Sequence, residues 1–257
     1  MIENFLIILA LNWSVVTILW LATLKIQRAD FIDIYWGPSF FLSGLLLLLL
    51  EKNFTSSSYM LLLLVGIWGF RLAFYLLARN INKDEDRRYV KIRTHRGNFG
   101  LYLTAYLIQV ILIGIVSLPI QLLIAQTESN NWNLISLIGV IIAISGIVIE
   151  SIADLQMSKF KSFANNEGKL MDKGLWQFSR HPNYFGDSLF WWGIFIFTYS
   201  HTSNFIIILS PILMTYFLIK VSGVDLLESQ IKHKKEGYKD YIKSTSSFIF
   251  MLKKNKK

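Results

Sequence analysis

The sequence predicts an all-α membrane protein, a bundle of about seven transmembrane helices, on three observations. Its apolar stretches approach the length of a bilayer crossing, its basic residues alternate between loops, and no polar segment is long enough for a separate soluble domain. The 257 residues are 53% hydrophobic, with a mean hydropathy of +0.45. Runs such as LSGLLLLLL and FIIILSPILMTYFLI would expose apolar surface on every face of a helix in water. A helix needs about 20 apolar residues to cross the hydrocarbon. Residues 4–24, 34–50, 58–78, 100–125, 132–152, 186–200 and 204–221 supply seven such stretches, with 34–50 and 186–200 short. Pro119 and Pro211 fall inside them and are expected to kink them, which a membrane helix tolerates. The whole chain, 1–257, reads as one multi-pass domain.

The opening MIENFLIILALNW lacks a positive start and is followed by Lys25 and Arg28, so the first stretch reads as a retained helix and not a removable signal. The chain has no cysteine, which excludes a disulfide framework and thiolate chemistry. Of the 26 Lys and Arg residues, 24 lie in 25–33, 79–99, 153–185 and 220–257; the others are Lys52 and Arg71. This one-sidedness is the positive-inside pattern. It places the N-terminus outside and the C-terminus in the cytoplasm, in a bacterial inner membrane, or the endoplasmic reticulum of a eukaryotic host. Topology and anionic headgroups explain the basic balance better than nucleic-acid binding does. The KDEDRRYVKIRTHRGNFG loop reads as a solvated cytoplasmic connection, with Arg87 or Arg88 within reach of a cofactor phosphate. The loop TESNNWN carries no glycosylation pattern, and the KKNKK tail reads as a headgroup-binding end.

Ionisable residues inside spans are costly and point to function. Arg71, in GIWGFRLAFYLLARN, lies about 12 Å along the axis from Arg79. Asp33 opens the second span, and Glu150 and Asp154 share one face near the cytoplasmic end of the fifth; a carboxylate among these is a partner for Arg71. Polar groups gathered at one leaflet suit an anionic, water-soluble ligand meeting a greasy one from the bilayer, and arginine suits phosphate. The common nucleotide and zinc motifs are missing. The four histidines, His95, His181, His201 and His233, show no metal-ligand spacing.

The stretch GLWQFSRHPNYFGDSLFWWG sets Arg180, His181, Asn183, Tyr184 and Asp187 at the mouth of the sixth stretch. Interfacial anchoring is the plain explanation. Pro182 is expected to stop the preceding segment and Gly186 to let the chain approach a ligand. Together with the upstream ESIADLQ and the downstream VSGVDLLE and YKDYIKSTSSFIF, the ordered set resembles membrane reductases of the steroid 5α-reductase superfamily, nearest to its bacterial branch. The Arg-His-Pro-x-Tyr element is shared with isoprenylcysteine carboxyl methyltransferases. The likeness covers most of 65–250, with the cofactor region at about 100–250.

The resemblance implies NADPH bound from the cytoplasm and hydride delivered to a C=C bond of a lipid or enone, a sterol-like substrate entering from the bilayer. It implies cofactor contacts at Arg71, Asp154, Lys161, Arg180, His181, Asn183, Tyr184 and Asp187, and no metal. Where the steroid enzymes carry a Glu and a Tyr to polarise the 3-oxo group, this chain has Trp36 and Trp68. Indole donates but releases no proton, so the expected acids are the nearby Asp33 and Tyr35. Trp36, Trp68, Trp191 and Trp192 are expected to wall the site, or to form an interfacial belt. The rival readings are an S-adenosylmethionine-dependent methyltransferase acting on a lipid-borne acceptor, and a non-enzymatic lipid-binding membrane protein.

Overall fold

A computed structural model describes residues 2–81, 83–126, 132–221, 224, 228 and 237–252. Residues 127–131 of the TESNNWN loop, most of VSGVDLLE and the KKNKK tail lie outside the described residues. The described chain is helical: α1 (Ile2–Ile26), α2 (Phe31–Glu51), α3 (Ser56–Asn80), α4 (Arg87–Leu101), a π-helical turn (Tyr102–Leu107), α5 (Ile108–Val116), α6 (Leu118–Ile124), α7 (Leu134–Ser162), α8 (Pro182–Thr202), α9 (Leu209–Tyr216) and α10 (Tyr238–Ser244). Extended pairing among the described residues is limited to one parallel bridge, Ser179 to Ser246.

Among the described residues, five helical runs are long and apolar enough to cross a membrane: α1, α2, α3, the continuous Arg87–Val116 and α7. The protein is therefore a multi-pass membrane protein. A shorter apolar run covers Phe205–Val221.

The fourth crossing departs from expectation at both ends. Its helix starts at Arg87, inside the segment expected to be a loop, and Gly97 (φ 67°, ψ −178°) breaks the regular conformation. Glycine enters that left-handed region without a Cβ clash. The basic turns before it are thereby uncoupled from the apolar turns after it. At the other end Ser117 (φ −78°, ψ 2°) leaves the helix. Pro119 then sits in the first turn of α6, where a missing N–H costs nothing; it starts a helix and does not kink one.

The chain divides into two compact units. The first comprises residues up to Asn133 and Thr198–Ser210; the second comprises Leu134–Phe197 and Pro211 onward. In the first, α2 and α3 pack backbone to backbone: a Cβ on Gly37 would stand 2.3 Å from the Gly69 carbonyl oxygen. Phe40, next to that contact, packs on Trp36 and on the fully buried Trp68. A second cluster gathers Val16, Ile32, Tyr89, Leu101, Tyr106 and Val110. Some polar side chains within the spans pair with one another, as hydrocarbon favours. Asn12 donates to the Ile8 carbonyl and to Ser43 Oγ, both at 2.9 Å, and accepts from the Tyr35 hydroxyl at 2.8 Å.

The second unit is built on antiparallel α7 and α8. Gly139, Ala143, Gly146 and Glu150 of α7 meet Phe197, Gly193, Phe190 and Gly186 of α8 in register. A Cβ on Gly186 would lie 2.6 Å from the Glu150 amide nitrogen. Small residues let membrane helices approach this closely. The close approach at Gly186, expected to serve a ligand, serves helix packing.

Candidate functional site

The ten predicted site residues divide between the units. Asp33, Tyr35 and Arg71 belong to the first; Asp154, Lys161, Arg180, His181, Asn183, Tyr184 and Asp187 belong to the second.

In the first unit, Asp33 stands in the first turn of α2 and takes two hydrogen bonds from the start of α4. Tyr89 donates its hydroxyl to Oδ1 at 2.5 Å and Arg88 donates to Oδ2 at 3.4 Å. Asp33 is thus paired with the α4 end, not with Arg71. Arg88 itself is held mainly by Asp86, which leaves it poorly placed to serve a phosphate. The surrounding loops are tied in the same way. Glu85 accepts from Arg93 and from the Ala29 amide, and Arg28 bridges Asp30 and the Asn80 carbonyl. The segment expected to be a solvated connection is a polar clasp on the ends of α1–α3. Tyr35 is also committed. Both Asn12 amide hydrogens have acceptors, so its oxygen faces Tyr35 and the phenol is the donor.

In the second unit the site grows from the C-terminal third of α7. The chain after α7 returns through a 3-10 turn, Gly174–Gln177, which is pinned to the helix it left. Gln156 accepts from the Leu175 amide at 2.9 Å, and the Trp176 indole donates to the Ala153 carbonyl at 3.1 Å. Gly174 has φ 62°, and a Cβ there would strike the Gln156 amide group at 2.5 Å; only glycine satisfies both demands. Pro182 then opens α8, as its fixed φ favours.

This return brings Asn183 beside Asp154, 29 residues earlier. The Asn183 amide nitrogen donates to Asp154 Oδ1 at 3.3 Å, while the amide oxygen is buried without a hydrogen-bond partner among the described residues. A buried acceptor left unmet costs about 1–3 kcal/mol, and a ligand donor would recover it. Glu150, Asp154 and Asp187 are buried at 3%, 4% and 7% exposure, so three carboxylates line the same α7–α8 seam. Lys161 is exposed at the end of α7. His181 and Tyr184 stack in parallel, ring centres 5.6 Å apart.

Arg180 has another occupation. Its guanidinium makes a two-pronged bond to Glu228, at 2.8 and 3.1 Å, and donates to the carbonyls of Ile242 and Thr245. His181 Nε2 lies 3.3 Å from the same carboxylate. Burial alone would raise the Glu228 carboxyl, but hydrogen bonds and charge from His181 and Arg180 outweigh it and hold it down at about 2. The backbone joins the clamp: Arg180 N–H donates to Ser246 O, Ser179 Oγ to Phe248 O, and Met251 N–H to Phe178 O. Tyr241 donates its hydroxyl to the Trp176 carbonyl. Sequence reasoning missed Glu228 as a site residue. The available signal was a buried arginine needing a carboxylate downstream.

The tryptophans expected to wall the site are mainly core. Trp68 and Trp191 are fully buried, and Trp192 donates to Thr215 Oγ1 at 3.3 Å. No cluster of potential metal ligands occurs among the described residues.

Comparison with curated proteins and with solved structures gives no match. A family model matches residues 19–245, nearly the whole chain. The protein belongs to the family described as Protein of unknown function (DUF1295).

Proposed function

We propose that this protein is a membrane-embedded, NADPH-dependent reductase of a C=C bond in a lipid or enone substrate, related to the steroid 5α-reductase superfamily. The carrying observation is Asn183. Its nitrogen is fixed on Asp154 and its buried oxygen lacks a hydrogen-bond partner among the described residues, so the α7–α8 seam offers an amide acceptor flanked by carboxylates. That set fits the amine, carboxamide and ribose hydroxyl donors of a nucleotide. Bound NADPH would supply the hydride. Asp154 orients Asn183, the stacked His181 and Tyr184 give a flat wall, and Lys161 supplies a cation. In this reading α8 and the Phe205–Val221 run complete a seven-pass topology with the N-terminus outside, in a bacterial inner membrane. At 21 residues, α8 is about 31 Å long at 1.5 Å per residue, enough for a hydrocarbon core of about 30 Å.

The methyltransferase reading has one observation in its favour. Arg180 is consumed by Glu228 and carbonyls, so the Arg-His-Pro-Asn-Tyr element offers few free cations to a dinucleotide's phosphates. S-adenosylmethionine needs fewer. Calorimetric titration of the purified protein with NADPH, NADH and S-adenosylmethionine separates the readings. Binding of NADPH that Asn183→Ala weakens supports the reductase; binding of S-adenosylmethionine alone replaces it with the methyltransferase. Binding of none up to millimolar concentration overturns both and leaves a lipid-binding protein.

A further inference from the structure

We infer that the cavity behind α10 is a phosphate-binding site. It encloses about 240 Å³ and is lined by Arg180, Ile242, the run Lys243-Ser244-Thr245-Ser246-Ser247, Met251 and Leu252. Three of its polar groups are idle. The Lys243 ammonium and the hydroxyls of Ser246 and Ser247 make no hydrogen bond or ion pair among the described residues, whereas Ser244 and Thr245 bond each other and the Tyr241 carbonyl. A lysine and two hydroxyls facing one small cavity form a donor set for tetrahedral oxyanions, with lysine acting as a point charge.

The end of a helix is ordinarily a poor place for an anion, because its free carbonyls carry partial negative charge. Here that objection is met. The carbonyls of Ile242 and Thr245 are turned onto the Arg180 guanidinium, and that of Ser246 onto the Arg180 amide. The negative end of α10 is thus covered by a cation, and the side-chain donors are left to the cavity. Glu228 balances the Arg180 charge, so Lys243 carries the net attraction. At the lip stand Met251 and Leu252, exposed at 52% and 84%. A phosphate beside an apolar strip is the pattern of a phospholipid headgroup; a soluble phosphate would use the same donors without the lip.

The test uses the full chain in phosphatidylcholine nanodiscs, with inorganic pyrophosphate followed by calorimetry and phosphatidic acid followed by native mass spectrometry. The wild type is expected to bind at least one probe. Phosphatidic acid alone identifies a lipid headgroup site, and pyrophosphate competing with it identifies a site open to soluble phosphates. Ser247→Asp should weaken binding at least tenfold and Lys243→Gln several-fold, while Lys239→Gln on the same helix should leave it unchanged. If Ser247→Asp fails to fold, the double variant Ser246→Ala, Ser247→Ala removes the donors without adding charge and should weaken binding several-fold. Asn183→Ala should not alter it, which keeps this inference separate from the nucleotide reading. Failure of both probes to bind the wild type, or undiminished binding in the serine variants, overturns the assignment.

Discussion

Two helix pairs in this protein use one packing device for different ends. In α2/α3, Gly37 and Gly69 bring the backbones together, and the interface continues into rings: Trp36, Phe40 and Trp68. In α7/α8, Gly146 and Gly186 do the same, and the interface continues into Glu150, Asp154, Asn183 and Asp187. A dry aromatic continuation adds only packing. A polar one in the same setting carries a desolvation cost, and selection retains such a cost where a ligand repays it. The difference separates a scaffold pair from the pair that carries the candidate site.

The largest expected effect tests what the pairs share. Gly37→Val and Gly186→Val each push a side chain into backbone, and overpacking costs about 3 kcal/mol at its upper range. Both variants should fail to give folded protein by detergent-phase thermal unfolding. A stable Gly186→Val would show that α7 and α8 have room to separate, which breaks the comparison.

Next comes the clamp that only the second pair carries. Arg180→Met leaves Glu228 without its main partner, and breaking a buried pair costs about 3–5 kcal/mol, less here because Glu228 is 20% exposed. The carboxyl lies at about 2 when folded, against an ordinary 4.5. A depressed carboxyl stabilises above its unfolded value and loses that contribution as pH falls through the folded value. The protection factors of the amides in 238–252, which remove the intrinsic pH dependence of exchange, should therefore be high at pH 5 and above and fall between about pH 4.5 and 2. Glu228→Gln should remove that pH dependence.

A smaller effect sharpens the site itself. Asn183→Ala should lower nucleotide affinity about tenfold, equal to about 1.4 kcal/mol, with little change in unfolding temperature, whereas Trp68→Ala should do the reverse. Equal behaviour of the two variants would erase the distinction between the pairs. Least of all, Lys161→Ala on the exposed end of α7 should change stability by under about 0.5 kcal/mol and affinity a few-fold, read by the same titration.

Hydropathy made α1, α2, α3 and α7 legible, because bilayer length and an apolar face leave little choice of structure. It misjudged the fourth crossing, where seven basic residues from Arg79 to Arg96 hid a helix that a glycine kink and a clasp of ion pairs make possible. Local composition records neither device. The meeting of Asp154 and Asn183 was foreseeable from the resemblance, since both fall in matched motifs. Arg180 was assigned to cofactor because its partner, Glu228, lies 48 residues away and no local pattern joins them. Asp33 posed the same difficulty: its partner Tyr89 is 56 residues on, in the segment read as solvent-exposed.

The clamp also sets an order of assembly. A ribosome delivers Arg180 well before it delivers Glu228, Thr245 and Phe248, so the Ser179–Pro182 corner first exists as a buried-to-be cation with no counter-charge. It has reason to stay hydrated until the last strand-like residues arrive and lie down beside it. The seam between α7 and α8 can zip on its glycines early, but its open end is finished only once Glu228 and residues 242–248 have followed. Completion of the candidate site therefore waits on those residues, and a chain cut short before residue 228 would carry α7 and α8 without the corner that completes them.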